Sequence, residues 1–485
     1  MEYIDVQKIL SQERKIKIEK VEIGDTHLSF KFSLNNKFVF DTRVCYFNKE
    51  IESLRKAYDL ETLNFLFAHM ALFETLKFMM IFPDEVDVSL IETYITPESI
   101  SYMENTISLL YSQHIYENKR FDWKKPQFIF NKENLKSKNP IEIDFKKLGL
   151  NENDRPFLIS NGGGKDSFLS MKLINDGKFK FSIFTHGRSE YGRCEHQYKY
   201  QHRLSDFFIK TYNHENNKDI QKHQVWIHDD FTDGIFTTIN FKDIVGECVQ
   251  GKPCQVGFPE MIFDSLPFVL LYGYKYFILG NERSANSTQV ENSKELGLDT
   301  INHQYLKSYD SEKRLNELLK FIIKDFSIFS VLRPVYDYKI YKNISKYPEI
   351  LPYVHSCNVH KPWCSSCSKC AYVFCHFNSV YDPELILKEF GQNLFDRDDL
   401  IKYWKQLLGL DTQNAFECVG EIDELRNAMY ICATKKGLKG KAIDLFFEHG
   451  LDKIDYEALE KKYDNVFLDD ICIPDEVLTK IKDFY

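Results

Sequence analysis

The sequence predicts an α/β protein whose core is a parallel sheet covered on both faces. An α+β region precedes the core, and a helical region that binds zinc through cysteines follows it. Three observations carry this expectation. Short apolar runs alternate with helical stretches through the middle of the chain. A run of three glycines sits where the first of these strands meets a helix. Five of the 12 cysteines fall between Cys357 and Cys375.

The bulk properties set the limits. At ~150 residues per domain, 485 residues suggest about three domains. The expected partition is 1–150 (α+β), 151–355 (parallel core) and 356–485 (cysteine site and helices). Hydrophobic residues make up 43%, enough for a packed core. The net charge of -9 argues against a strongly basic nucleic-acid binder. The longest apolar runs, such as Pro267–Gly280, are broken by Lys and Tyr, so no membrane span and no membrane partner are expected. The N-terminus shows neither an apolar stretch nor a cleavage site, which makes the cytoplasm the expected compartment.

In the first region, His27–Leu34 alternates apolar and polar residues, and a strand-like run from Lys37 follows an Asn-Asn turn. This pattern predicts a hairpin. Leu60–Phe82 has helical spacing of Leu, Phe, Met and Ala and predicts a buried helix. The polar run Asn131–Asn139, closed by Pro140, reads as a linker.

In the second region the strand Pro156–Ser160 runs into Asn161-Gly-Gly-Gly-Lys-Asp-Ser, and helical periodicity follows from Ser167 to Ile174. Further strands are expected at Phe179–Thr185, Gln224–His228 and Tyr276–Gly280, with a helix over Glu260–Tyr272. Ligands of such sheets collect at the carboxyl ends of the strands. The third region predicts amphipathic helices at Pro383–Phe390 and Asp399–Leu408.

The glycine run has a physical use. Without a Cβ, the backbone of Gly162, Gly163 and Gly164 can approach a ligand closely, and the amides can converge on phosphate oxygens. The following helix adds its positive end. Ser160 and Ser167 bring hydroxyls, Lys165 a point charge, and Asp166 a carboxylate. A glycine turn with Asp166 as a helix cap is the plainer alternative.

The cysteines Cys357, Cys364, Cys367 and Cys370 are spaced C-x6-C-x2-C-x2-C. Four thiolates satisfy tetrahedral zinc with no open position, so the expected role of the metal is structural. Free buried thiols or a redox pair are the alternatives, and Cys375, His355, His360 and His376 are bystanders or neighbours of the ligands.

Ser160-Asn-Gly-Gly-Gly-Lys-Asp-Ser resembles the S-G-G-x-D-S loop of the PP-loop ATP pyrophosphatases (adenine nucleotide α-hydrolase-like), with Asn161 as one inserted residue. Together with the cysteine site it is similar to the cyano-deazaguanine synthase branch of those enzymes. Four further segments resemble the ATP-dependent UDP-N-acetylmuramoyl-L-alanyl-L-glutamate epimerases: Gly280–Asn286, Asn302–Ser308, Trp363–Phe374 and Phe416–Glu421. The stretch Cys248–Pro259 departs from that pattern.

The resemblance implies a reaction. ATP with Mg²⁺ adenylates the carboxylate of a terminal L-Glu on a UDP-linked muramoyl dipeptide, Cα is inverted, and hydrolysis releases the D-Glu product and AMP. Adenylation makes sense physically, because a carbanion beside an ionised carboxylate would be prohibitively unfavourable. Under this reading Gly162–Gly164, Lys165, Asp166, Ser160 and Ser167 bind ATP, Glu282 holds Mg²⁺, and Arg283 clamps an anion. His303 and Cys418, with Glu417 and Glu421 beside it, are candidates for moving the Cα proton. His186, Arg188, Arg193, His196 and His202 offer a basic stretch for a diphosphate, and Asp229, Asp230 and Asp233 further oxygens for Mg²⁺. Two alternatives remain at this point. One is a cyano-deazaguanine-synthase-like enzyme that passes the activated carboxylate to an amine. The other is a zinc-stabilised nucleotide-binding module, a sensor or defence component without turnover.

Overall fold

The computed structural model describes residues 13–120, 122–189, 193–213, 220–233, 258–291, 300–411, 415 and 417–485. Strands and helices alternate as their hydrophobic periods require. The strands are β1 (Lys15–Ile23), β2 (His27–Leu34), β3 (Phe38–Tyr46), β4 (Glu85–Asp87), β5 (Gln127–Ile129), β6 (Phe157–Ser160), β7 (Phe181–Arg188), β8 (Lys222–Asp229), β9 (Tyr276–Leu279), β10 (Val290–Glu291), β11 (Thr300–Ile301) and β12 (Ser327–Ser330). The helices that bear on function are α1 (Leu60–Glu74), α2 (Ser112–Glu117), α3 (Lys165–Asp176), α4 (Cys194–Tyr212), α5 (Phe258–Tyr272), α6 (Tyr309–Leu319), α7 (Asp337–Ile344), α8 (Ser368–Val380) and α9 (Ile422–Tyr430).

Ten strands form one sheet in the order β12-β9-β6-β7-β8-β3-β2-β1-β4-β5. From β12 to β8 every pairing is parallel. β8 then pairs antiparallel with β3, so the strands of the first region extend the core sheet. The hairpin β2–β3 turns through residues 35–37, with Asn35 and Asn36 both at positive φ (54° and 52°), a conformation Asn tolerates.

Alternate side chains of the central strands feed two cores. Leu158 and Phe277 join the core with α5 and α6, whereas Phe157, Ile159 and Ile278 join the core with α3, α4 and the C-terminal helices. The parallel sheet is therefore covered on both faces, as expected. The chain enters at β6, adds β7 and β8 on one side, and then crosses to add β9 and β12 on the other. The winding reverses between β6 and β9, and such a reversal opens a crevice at the carboxyl ends.

Residues Leu60–Ile81 are long and apolar enough to cross a membrane, but the segment is 94% buried inside the protein. It runs as α1, capped by Asp59 accepting from the Thr62 amide, and tightens into a 3₁₀ turn over Thr75–Ile81. Among the described residues no other helix meets that length and composition.

Candidate active site

The glycine loop leaves the end of β6 at the reversal point, and Gly280–Glu282 leaves the end of β9 beside it. A Cβ on Gly280 would lie 3.0 Å from Ser170 Oγ and 3.2 Å from Asp166 Cβ, so only glycine lets the two segments approach this closely. Gly163 takes φ 79°, the left-handed turn that aims the chain into α3.

The loop is more self-contained than the sequence suggests. The Gly162 amide donates to Ser167 Oγ (2.9 Å), and the Gly163 amide donates to Asn161 Oδ1 (2.9 Å). Two of the three glycine amides expected to converge on a ligand are thus used within the loop, because a tight turn satisfies its own donors. Asn161, the inserted residue, also donates to the Gln201 carbonyl and so ties the loop to α4. A Cβ at Gly162 would meet nothing within 4 Å, so the outer side of the corner faces open space.

Lys165 is buried rather than extended toward that space. Its Nζ lies 2.5 Å from Asp166 Oδ1 and 2.5 Å from Asp337 Oδ1. Burial opposes its charge, but the two carboxylates outweigh it and hold the ammonium protonated. Burial would raise Asp337, yet Lys165 brings it down to about 2. Glu282 is also buried, and burial together with Asp337 and Asp166 pushes its carboxyl up. A group held up by neighbouring carboxylates is one that a divalent cation would relieve.

Arg283 takes a different course from the clamp expected of it. Its guanidinium pairs with Asp469 (2.8 Å) and lies over the Phe467 ring (4.3 Å). The short 3₁₀ turn Arg283–Asn286 rotates it toward the C-terminal segment, while Glu282 turns inward. The inward arginine is Arg333, which donates to the Glu282 carbonyl (2.8 Å) and to the Lys307 carbonyl and so fixes both segments. The basic stretch is likewise redirected. Arg188 is buried against Asp229 (3.1 Å) and Glu74 (3.4 Å), and Lys77 closes the network at 2.7 Å from Asp229.

His303 and Cys418, 115 residues apart, meet at 3.8 Å between Nε2 and Sγ. The β10–β11 pair holds the histidine segment, and Gln289 accepts from the His303 amide (2.6 Å). Gln113 on α2 places Oε1 against His303 Nδ1. An amide oxygen only accepts, so the imidazole proton lies on Nδ1 and Nε2 faces the sulfur. Glu417 Oε1 accepts from the Cys418 amide (2.9 Å) and from Asn358 (2.9 Å). Burial raises the Cys418 thiol, but Lys307 and His303 outweigh it and bring it down to about 7. Lys307 bonds the Cys418 sulfur, and its charge is favoured by Cys418 and, more weakly, by Glu282 and Asp166. The ligand atoms of His303, Glu417 and Cys418 lie within 4.8 Å of one another. A metal ion there would meet the Lys307 charge already placed against the sulfur. A cleft of 580 Å³ lined by Ser287, Gln289, Val419, Gly420, Glu421 and Arg426 adjoins the pair.

Cys357, Cys364, Cys367 and Cys370 converge so that their sulfurs all lie within 4.8 Å. Cys364 and Cys370 are 3.8 Å apart. Tetrahedral zinc with bonds of about 2.3 Å requires sulfurs about 3.8 Å apart, so this cluster fits the ion.

Sequence reasoning missed Asp337 and Gln113, which touch the site from distant parts of the chain, and gave Lys307 no role. No local pattern marks any of them. The quoted Phe416 and nearly all of Cys248–Pro259 lie outside the described residues.

Comparison with known proteins adds a family likeness. The MurL C-terminal domain matches residues 353–458, and the MurL N-terminal domain matches residues 265–331. A UDP-N-acetyl-alpha-D-muramoyl-L-alanyl-L-glutamate epimerase of Xanthomonas oryzae is 29% identical over 186 residues, 36% of this chain and 40% of that protein. Proteins of the same name from a Micromonospora species and from Salinispora tropica are 30% and 27% identical over 168 and 179 residues. The matches cover 32% and 35% of this chain, and 36% and 38% of those relatives. The chain thus spans well under half the length of each of these relatives. It resembles MurL-type epimerases over the segments that carry Glu282, the cysteine cluster and Cys418. No solved structure shows a significant match.

Proposed function

We propose that the protein adenylates a substrate carboxylate with ATP and then epimerises the activated carbon, acting on the terminal L-Glu of UDP-MurNAc-L-Ala-L-Glu in cell-wall precursor synthesis. The compartment of such nucleotide-linked precursors would be the cytoplasm. The observation that carries the reading is Arg333, which donates to the Glu282 and Lys307 carbonyls and so ties the segment after β9 to the one whose His303 meets Cys418 at 3.8 Å. This tie sets the end of β9, next to the glycine corner, against the segment that carries the thiol–imidazole pair. The likeness to proteins named as epimerases supports the choice of reaction.

In this reading the open side of Gly162 and the start of α3 receive the phosphates. Asp166 and Glu282 would hold Mg²⁺, which supplies charge neutralisation for the phosphates when bound. Asp337 fixes Lys165 so that it braces Asp166. The four cysteines would hold zinc and brace the loops from behind. His303 and Cys418, 3.8 Å apart, lie on the same side of any substrate carbon, so they act as one basic unit and not as two opposed ones. A planar enolate formed there is reprotonated from its other face.

The test uses ATP, Mg²⁺ and UDP-MurNAc-L-Ala-L-Glu in deuterated water. The expected result is AMP and pyrophosphate release with deuterium at the glutamate Cα. AMP release with an amide product when ammonia is added would replace epimerisation by amide formation. No AMP from any of these mixtures would leave only nucleotide binding. Replacing His303 by Ala is expected to lower deuterium incorporation at least ~100-fold, the scale of a lost general base.

A further inference from the structure

The pairing of Gln113, His303 and Cys418 has the build of an activated nucleophile: a thiol, a base within reach of it, and a third group that fixes the base. Two more features fit that build. Lys307 places a positive charge against the sulfur, and His303 Nε2 lies 3.8 Å from it. The charged and titratable groups around the thiol are Lys307, His303 and Glu417, and Lys369 donates to the Cys418 carbonyl from α8. Arg333 ties the Glu282 segment to the Lys307 segment that meets the sulfur, so in the adenylation reading an activated carboxylate has a thiolate as its neighbour. We propose that Cys418 is the nucleophile that takes the acyl group from the adenylate, so that the carbon to be inverted is carried as a thioester next to His303.

This inference rests on the adenylation reading, and its steps balance. The Cys418 thiolate attacks the acyl carbon, the C–S bond forms, and AMP leaves with the electron pair of the broken C–O bond. His303 Nε2 takes the Cα proton while the electrons move into the thioester carbonyl oxygen. Sulfur overlaps poorly with a carbonyl, so this enolate is easier to form than that of an oxygen ester. A water molecule on the opposite face gives a proton to Cα, which inverts the carbon, and the hydroxide left behind is neutralised through solvent by the proton on His303 Nε2. Water then adds to the thioester carbon and gives a proton to the neutral His303, the C–S bond breaks with its electron pair on the Cys418 sulfur, and the imidazolium loses that proton to solvent, which restores the enzyme. Gln113 keeps the imidazole turned to the sulfur throughout.

Removing the base should trap the intermediate. The full chain carrying His303→Ala is mixed with ATP, Mg²⁺ and UDP-MurNAc-L-Ala-L-Glu and quenched in acid. The expected result is a burst of one AMP per chain and the acyl mass on the Cys418 peptide, removed by hydroxylamine. Cys418→Ser should lose that adduct and form at least ~100-fold less D-Glu product, with zinc content and circular dichroism reporting its fold. A wild-type enzyme that makes D-Glu while His303→Ala shows no acyl group on Cys418, or while Cys418→Ser still epimerises within a few-fold, overturns the thioester and leaves the adenylation reading standing. A wild-type enzyme that releases no pyrophosphate overturns that reading, and the thioester with it.

Discussion

Lys165 is braced by carboxylates on both sides, and this changes what its replacement would report. The ammonium compensates Asp337, which has no exposure of its own to water. Removing one partner of a buried ion pair costs roughly 3–5 kcal/mol, because the other charge is left without compensation. Lys165→Met should therefore lower stability by that amount in urea denaturation. Lys165→Met combined with Asp337→Leu should recover part of it. Equal stability of the two variants would mean that the pair is not energetically coupled. Loss of AMP formation on changing Lys165 thus needs a folding control beside it.

Cys418 gives a residue-scale prediction in pH. Its folded value, about 7, lies below the ordinary thiol value, so the thiolate is populated above pH 7. Stability and any thiolate-dependent rate are both lost as pH falls through that value. Lys307→Met should raise the midpoint by about a unit or more, since burial then works against His303 alone. Lys307→Arg should restore it. The measurement is the ultraviolet absorbance of the thiolate, taken as the difference between the enzyme and its Cys418→Ala variant. An unmoved midpoint would remove Lys307 from the thiol's surroundings.

At the scale of elements, the cysteine cluster braces both halves of the site. The His355 amide, two residues before Cys357, donates to the Gly163 carbonyl (2.9 Å). Asn358 holds Glu417, and Lys369 beside Cys370 holds the Cys418 carbonyl. Zinc removal, by chelation or by Cys364→Ser, should speed hydrogen exchange at the glycine loop and at Cys418 while β1–β3 keep their protection. Exchange confined to the cysteine segment would show that the bracing is weak. Gly280→Ala should cost about 1–3 kcal/mol, because its Cβ would press on Ser170 and displace Asp166. The elements themselves were largely legible. The periodicities of β2, α1 and α5 and the turn at Asn35–Asn36 are local, and Phe157–Ser160 is apolar enough to stand out. β12 was not, because its strand character rests on pairing with β9, while β1 alternates beside β2 and was simply passed over.

At the scale of the whole molecule, the pairing of β3 with β8 and a shared hydrophobic core join the first 150 residues to the parallel core. This edge also explains how Gln113 on α2 reaches His303. A chain starting at residue 151 would leave β8 with an unpaired edge and His303 without its orienting amide. Such a chain should be recovered as aggregate and not as a cooperatively unfolding protein, with circular dichroism during urea titration as the check. A soluble, cooperative fragment would show that the core is independent of the first region.

The sequence by itself determined the α/β class, the glycine corner and the four clustered cysteines, and it singled out His303 and Cys418 as candidates. Each of these is written in neighbouring residues: a period, a run or a short spacing. Only the tertiary structure decided that Lys165 is clasped by Asp337, that Arg283 turns away to Asp469, and that Gln113, His303, Lys307 and Cys418 form one unit. Those pairings join residues up to 190 positions apart, and charge and hydrogen-bond partnership at such separations is fixed by how the sheet winds and reverses, which no local spacing records.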